Sequence, residues 1–452
     1  MSSTGLILIA ILGIAVLLYL IMHSKMQAFL ALLIASILIG LFTGMEPAFL
    51  LEVIEVGMGG TLGFIAIVVG LGAMFGEVLR ASGGAERLAF TLVDKFGEKR
   101  AQWALGLTGF IVAIPVFLDV ALVILIPILY SLAIRTRKSL LYYGIPLLAG
   151  LAVAHSFIPP TPGPIAVASV LGVDLGWMML FGVIAGIPAM VVAGPIFGRY
   201  IGNKIHVDVP EHIKEEEERK KANNEEGKLL PSFGMICFLI LSPLVLILFN
   251  TTGGILLKEG IFKEVVTFIG HPFVALIIAT LLSMYFLGKR RGVTKNEMQS
   301  MTTKALEPAG IVILITGAGG VFKEVLIESG VGDAMGELMA SSGFPLVLLA
   351  FLISTFVRVA QGSATVAMIT AAGLISPILD MTELSQPMLA LIAISIACGA
   401  TVLSHVNDSG FWLVNRLFAM TEKDTLKSWT VMETIIGLVG FFVVFGLSFF
   451  IS

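Results

Sequence analysis

The sequence predicts an all-α polytopic membrane protein, with about 12–14 hydrophobic segments in two inverted-topology repeats that contain re-entrant or broken helices. Three observations carry that expectation. The chain has 452 residues, 57% hydrophobic and only 13% charged, whereas soluble domains carry about 25% charged residues. Apolar runs recur from end to end, at 6–21, 28–42, 62–75, 178–197, 235–249, 274–287 and 435–451. A helix needs about 20 mostly apolar residues to cross the hydrocarbon. Finally, the middle of the chain recurs about 250 residues later with its loop charges reversed.

The recurrence is read from short matches. Phe75-Gly76-Glu77-Val78-Leu79, then Ser82-Gly83, returns as Phe322-Lys323-Glu324-Val325-Leu326, then Ser329-Gly330. Pro127-Ile128-Leu129 returns as Pro377-Ile378-Leu379, and His155 as His405. The loop after the first copy holds Arg80, Arg87, Lys95, Lys99 and Arg100; its counterpart, 328–342, holds Glu328, Asp333 and Glu337 and no Lys or Arg. Arg135, Arg137 and Lys138 likewise face Asp380 and Glu383, and the Asp174 link faces Lys423 and Lys427. Cytoplasmic loops collect Lys and Arg, so the copies are expected upside down relative to each other. A parallel duplication keeps these signs alike.

The predicted units are N-terminal transmembrane helices at 1–57, a first repeat at 58–200 and a charged cytoplasmic linker at 201–231. Connecting helices at 232–304 and a second repeat at 305–452 follow. The linker contains the run Glu215-Glu216-Glu217-Glu218-Arg219-Lys220-Lys221, the pattern of a solvated segment. Residues 5–22 lack the basic start and small-residue cleavage site of a signal peptide, so they read as a retained first helix. Lys25 after it and Glu46 after the second run place the N-terminus outside. Cys237 and Cys398 lie in apolar runs and read as packing residues. No P-loop, nucleophile elbow or HExxH is present, and Gly70 to Gly76 fails the dinucleotide spacing. The sequence therefore points to no enzyme, cofactor, metal ion or nucleic-acid partner. Transport must run on an ion gradient or downhill flow.

Ionisable groups inside a bilayer cost roughly 2.5–3.5 kcal/mol on insertion scales, which makes them functional candidates. Asp119 lies among Leu118, Val120 and Ala121, four residues after Pro115; desolvation is expected to keep it protonated until water or substrate arrives. A capping role is the ordinary alternative. The second unit offers Arg358 to meet an anion, and Gly362-Ser363 as an interruption, with Ser363 and Thr365 as hydroxyl partners. Salt bridging and small-residue packing are the plain alternatives there. His155-Ser156-Phe157-Ile158-Pro159-Pro160-Thr161-Pro162-Gly163-Pro164 cannot be a continuous helix. Its partner is the polar cluster Ser404-His405-Val406-Asn407-Asp408-Ser409. Matched interruptions in two halves point to a transporter binding site. Helices restarting near Gly163 and Ser409 would aim positive ends at a carboxylate. Glu77 and Glu324, with Lys323 beside the latter, form a third pair that also suits exposed helix ends.

At these residues the chain resembles the gluconate permease (gluconate:proton symporter) family of bacterial inner membranes. The resemblance is carried by Gly59-Gly60-Thr61-Leu62-Gly63, Gly83-Gly84-Ala85-Glu86-Arg87, the proline motif, Gly362 to Ala367, and Ser404 to Asp408 with Gly410-Phe411-Trp412. It implies uptake of gluconate or a related hydroxy-monocarboxylate with protons. From the buried carboxylates themselves, Asp119 and Asp408 are expected in proton coupling. Substrate contacts are then expected from His155, Ser156, Thr161, Gly163, Arg358, Gly362, Ser363, Thr365, His405, Asn407 and Ser409. By fold analogy it also implies an elevator movement in a homodimer within the lipid bilayer. Thr161 stands where such carriers often place a histidine, which leaves D-serine, glycerate and 3-hydroxybutyrate open as substrates. A passive channel or facilitator for organic anions is the alternative mechanism.

Overall fold

The computed structural model describes residues 2–211, 230–331, 334, 344–380 and 384–451, and every regular element among them is helical. α1 (Ser3–Met22) and α2 (Ala28–Phe42) lead into α3 (Pro47–Ala81), a helix of 35 residues. After α4 (Gly84–Phe96), α5 (Ala101–Val112) and α6 (Leu118–Thr136) are joined by the turn 113–117. α7 (Leu140–Phe157) and α8 (Pro162–Leu171) form one pass broken at 158–161. α9 (Leu175–Val191) continues through a π-helical stretch, Val192–Ile196, into α10 (Phe197–Lys204). α11 (Phe233–Leu256), α12 (Ile261–Gly270) and α13 (Pro272–Ser283) connect the halves.

The second half opens on another long helix. α14 (Lys295–Glu328) is a 34-residue helix, opened by a capping box between Thr294 and Glu297. α15 (Leu346–Gln361) and α16 (Ala364–Asp380) pack on each other around Gly362 and Ser363. α17 (Gln386–Gly399) and α18 (Ser409–Leu417) are separated by 400–408. α19 (Glu422–Thr425) passes through a π-helical stretch, Leu426–Thr430, into α20 (Val431–Ser448).

Nine passes among the described residues are long and apolar enough to cross a membrane, and four shorter apolar helices accompany them. The short ones account for the sequence's larger count of segments. The central pass is α7–α8, whose apolar window is 94% buried inside the protein, against 17% for α1. Prolines inside helices, such as Pro127, Pro146 and Pro377, are tolerated because neighbouring helices resatisfy the freed carbonyls.

The sequence expectations meet the structure unevenly. The breaks at 158–161 and 362–363 fall where proline and glycine chemistry placed them. The expected boundaries at 57/58 and 304/305 lie inside α3 and α14. His155 and His405 are not equivalent in place: His155 is in the last turn of α7, whereas His405 lies in the longer break 400–408. Pro162 lets the first break resume as helix at once, because its φ is already helical and its missing N–H costs nothing at that position. The second break contains no proline. The acidic and basic run Glu215 to Lys221, and Asp333, Glu337 and Glu383, lie outside the described residues.

The side chains fill two hydrophobic cores. The larger is built mainly by α4–α7, α9, α15, α17 and α20, and the smaller by α1–α3 and α14. α8 and α16 contribute to both: Ile165, Ala166, Val366 and Ile369 face the smaller core, and Val167, Ala168, Ala367 and Met368 the larger. Lipid gives no hydrophobic drive for helix association, so close packing of small residues must supply it. α3 and α14 cross at Gly57, where a methyl group would stand 2.9 Å from Val321 Cα.

Candidate functional site

Two interruptions of the second half meet each other. Gly362 ends α15 with φ +91° and is buried against Asn407 so closely that a side chain would strike its carbonyl. Arg358, only 2% exposed, stands one turn before it. Its guanidinium donates to the Gly362 carbonyl and, at 2.5 Å, to Asp408 Oδ2. The same Oδ2 accepts from Ser404 Oγ at 2.5 Å, and Oδ1 accepts from Gly410 N at 2.9 Å. Trp429 Nε1 donates to Ser404 Oγ at 2.7 Å, and Thr430 Oγ1 donates to the Ser404 carbonyl. His405 Nε2 (3.1 Å) and Asn407 Nδ2 (2.9 Å) both donate to the Val359 carbonyl.

This network gives several of the expected site residues partners within the protein. Arg358 was expected to meet the substrate anion, but its partners here are Asp408 and a backbone carbonyl. Asp408 was expected in proton coupling, yet both of its oxygens are engaged and it caps α18. That cap occupies the helix end near Ser409, which is itself exposed. Ser404, Trp429 and Thr430 were missed as members. Their signal was faint, because the π-helical stretch that turns Trp429 and Thr430 toward Ser404 leaves no mark in residue spacing.

The first half joins the second at the starts of α8 and α16. Turn 113–117 and the break 158–161 line one crevice with Thr161 and Pro162. A Cβ on Gly163 would lie 2.7 Å from Met368 Sδ and 4.0 Å from Thr365 Oγ1. The two helix N-termini therefore lie side by side, each with backbone donors and a partial positive charge, and Ser363 Oγ accepts from Val366 N at 3.4 Å at the start of α16. Pro162 and Pro164 have no N–H, so Gly163 is the donor among these first residues of α8. Thr161, buried, donates its hydroxyl to the Ile158 carbonyl at 2.6 Å and keeps lone pairs for an incoming donor. Ser363 and Thr365 are half-buried at the start of α16. Ser156 is buried in the last turn of α7. His155 faces Phe117 edge-on at 6.3 Å, and its Nδ1 is buried without a partner.

Beside turn 113–117 opens a cavity of about 500 Å³, lined by Glu77, Arg80, Pro115, Asp119, Lys304 and Leu413 among others. Small-molecule sites typically measure about 300–1,000 Å³. Gly76 belongs to its wall, and any side chain there would collide with the Pro115 carbonyl. Asp119 is exposed to this space rather than desolvated. The reason is its place in the first turn of α6, immediately after a turn that holds it at the cavity edge. Glu77 is bound by Arg80 through two contacts, at 2.5 and 2.6 Å.

Lys323 has a structural task. Its Nζ donates at 2.9 Å to the Val170 carbonyl near the end of α8, which also accepts from Ser376 Oγ at 3.2 Å. A cation there suits the negative end of the helix. Lys323→Met is expected to destabilise the protein by about 1–2 kcal/mol, read as a lower midpoint of thermal unfolding in detergent. An unchanged midpoint would remove the contact from the account.

Comparison with known proteins agrees with this architecture. The pattern of the GntP family permeases matches residues 5–450. The low-affinity gluconate transporter of Escherichia coli (strain K12) is 44% identical over 441 residues, covering 97% of each chain. The gluconate permease of Pseudomonas aeruginosa is 38% identical over 438 residues, covering 96% of this chain and 94% of its own. The crystal structure of the Alcanivorax borkumensis YdaH transporter superimposes with a TM-score of 0.61 over 89% of this chain and 90% of that one, at 14% identity. Nearly full-length agreement in sequence, with a transporter architecture beneath it, means that the chain belongs to the GntP family of permeases.

Proposed function

We propose that this permease imports gluconate, or a small hydroxy-monocarboxylate close to it, by proton symport. It is a multi-pass protein of the bacterial inner membrane and not an enzyme. The observation that carries the substrate reading is the adjacent pair of N-termini at α8 and α16. Such ends bind carboxylates through backbone N–H groups, and Thr161, Ser363 and Thr365 supply hydroxyls for a polyhydroxylated chain. The names of the relatives support gluconate in particular.

The two halves, in this reading, are inverted across the membrane and work in a homodimer. Arg80 and Lys304 beside the cavity, with the basic loops near them, support a cytoplasmic position for it in this reading. The two hydrophobic cores supply a scaffold and a moving body, with α8 and α16 at their seam. Thr365→Val is expected to raise the apparent KM for gluconate about tenfold, the effect of one lost hydrogen bond, with thermal stability unchanged. An unaltered KM would move the site elsewhere.

The test of the function is uptake of labelled gluconate into proteoliposomes under an inward proton gradient without sodium. Accumulation that a protonophore collapses is the expected result. Uptake that never exceeds equilibrium would make the protein a downhill facilitator. Stronger competition by glycerate, D-serine or 3-hydroxybutyrate than by unlabelled gluconate would reassign the substrate.

A further inference from the structure

Glu433 lies in the first turn of α20, inside the larger core, and is 4% exposed. Its Oε1 is buried and has no hydrogen-bond partner. A buried carboxyl left in that state is costly, and such an exception calls for an explanation. Trp429 and Thr430, one turn before it, donate to Ser404, which in turn donates to Asp408, the partner of Arg358. Arg358 carries a second orphan, since its Nε is buried and also unpartnered. An unpaired acceptor and an unpaired donor of opposite charge type thus share one buried neighbourhood, beside the network that ties Gly362 to Asp408.

We propose that Glu433 is the proton-binding group that couples the gradient to transport, and that it acts through Arg358. The proposal rests on the proton-symport reading above and names the residue that reading requires. The proton comes from the external water, adds to the Glu433 carboxylate as an O–H, and leaves to the cytoplasmic water. While Glu433 is neutral, Arg358 is free to hold the Gly362 carbonyl and Asp408, which fixes the start of α16 in its site-forming position. Once Glu433 loses the proton, its carboxylate competes for Arg358 and loosens that hold. Protonation and an assembled substrate site are then favoured together.

The surroundings contain few rivals. α20 packs on α7, α9, α15, α17 and the π-helical stretches at Val192–Ile196 and Leu426–Thr430. α9 and Val192–Ile196 carry no titratable side chain, α15 carries Arg358, and α17 carries Cys398. α7 carries Tyr142, Tyr143 and His155, and the second π-helical stretch carries Lys427, which is exposed. Asp408 has both oxygens engaged, so Glu433 is the acid with an oxygen still to satisfy.

The experiment compares wild type, Glu433→Gln and Glu433→Asp in proteoliposomes with labelled gluconate. It reads both gradient-driven accumulation and counterflow without a gradient. The proposal expects Glu433→Gln to lose accumulation, falling to simple equilibration, while counterflow persists. Glu433→Asp should accumulate with a shifted pH profile. Glu433→Gln accumulating like wild type overturns the proposal, and so does loss of counterflow together with accumulation, which marks a structural role. Wild-type accumulation indifferent to a protonophore would instead sink the symport reading itself, and this proposal with it.

Discussion

Asp408→Ala is expected to destabilise the protein by about 3–5 kcal/mol, the usual cost of leaving one member of a buried ion pair without its partner. Arg358 is 2% exposed and the Asp408 side chain 12%, so little water is at hand to replace the lost oxygen. The same change also uncaps α18 and frees Ser404, which Trp429 and Asp408 now hold between them. Thermal unfolding in detergent reads the effect directly. A double substitution, Arg358→Leu with Asp408→Leu, should recover part of the loss, because the charge that made the single change costly is gone. A drop below about 1 kcal/mol for Asp408→Ala, the value of an exposed pair, would show that water reaches the guanidinium.

The second large effect belongs to Gly362. Its φ of +91° costs a residue with a side chain roughly 1–2 kcal/mol, and the added carbon would strike the Asn407 carbonyl. Gly362→Ala must therefore push the start of α16 away from the break 400–408. Uptake should be abolished in protein that still reaches the membrane, since the N-terminus of α16 is displaced from that of α8. Gly254→Ala is the matched control: nothing lies within 4 Å of its added carbon, and alanine favours a helix over glycine by about 1 kcal/mol. Uptake preserved in Gly362→Ala would mean that the close contact is not needed for transport.

Much of the fold was legible because its causes are local. Prolines forced the break after Phe157, and glycine at 362 forced the one after Gln361. Apolar runs at 6–21 and 28–42 became α1 and α2 with almost the expected bounds. The site was less legible, because partnership between distant residues leaves no local trace. Arg358 read as an anion receptor since its acid lies 50 positions away at Asp408. Asp119 read as desolvated since its neighbours are apolar, whereas burial is decided by a turn that sets it at a cavity. Glu433 went unnoticed because it follows the charged stretch Glu422 to Lys427 and resembled the exposed end of a helix. The intervening π-helical turn and the packing of α20 on α17 bury it instead.

The central claim is that an anionic substrate sits between the starts of α8 and α16. It is tested most directly by substrate protection of a cysteine placed there. The two native thiols, at Cys237 and Cys398, are first replaced by serine, and Ala364→Cys is introduced at the start of α16. Alkylation at that position should slow with rising gluconate, while alkylation at an exposed control, Asn203→Cys, should not change. Equal alkylation rates with and without saturating gluconate, in an Ala364→Cys variant that still transports it, would contradict the account.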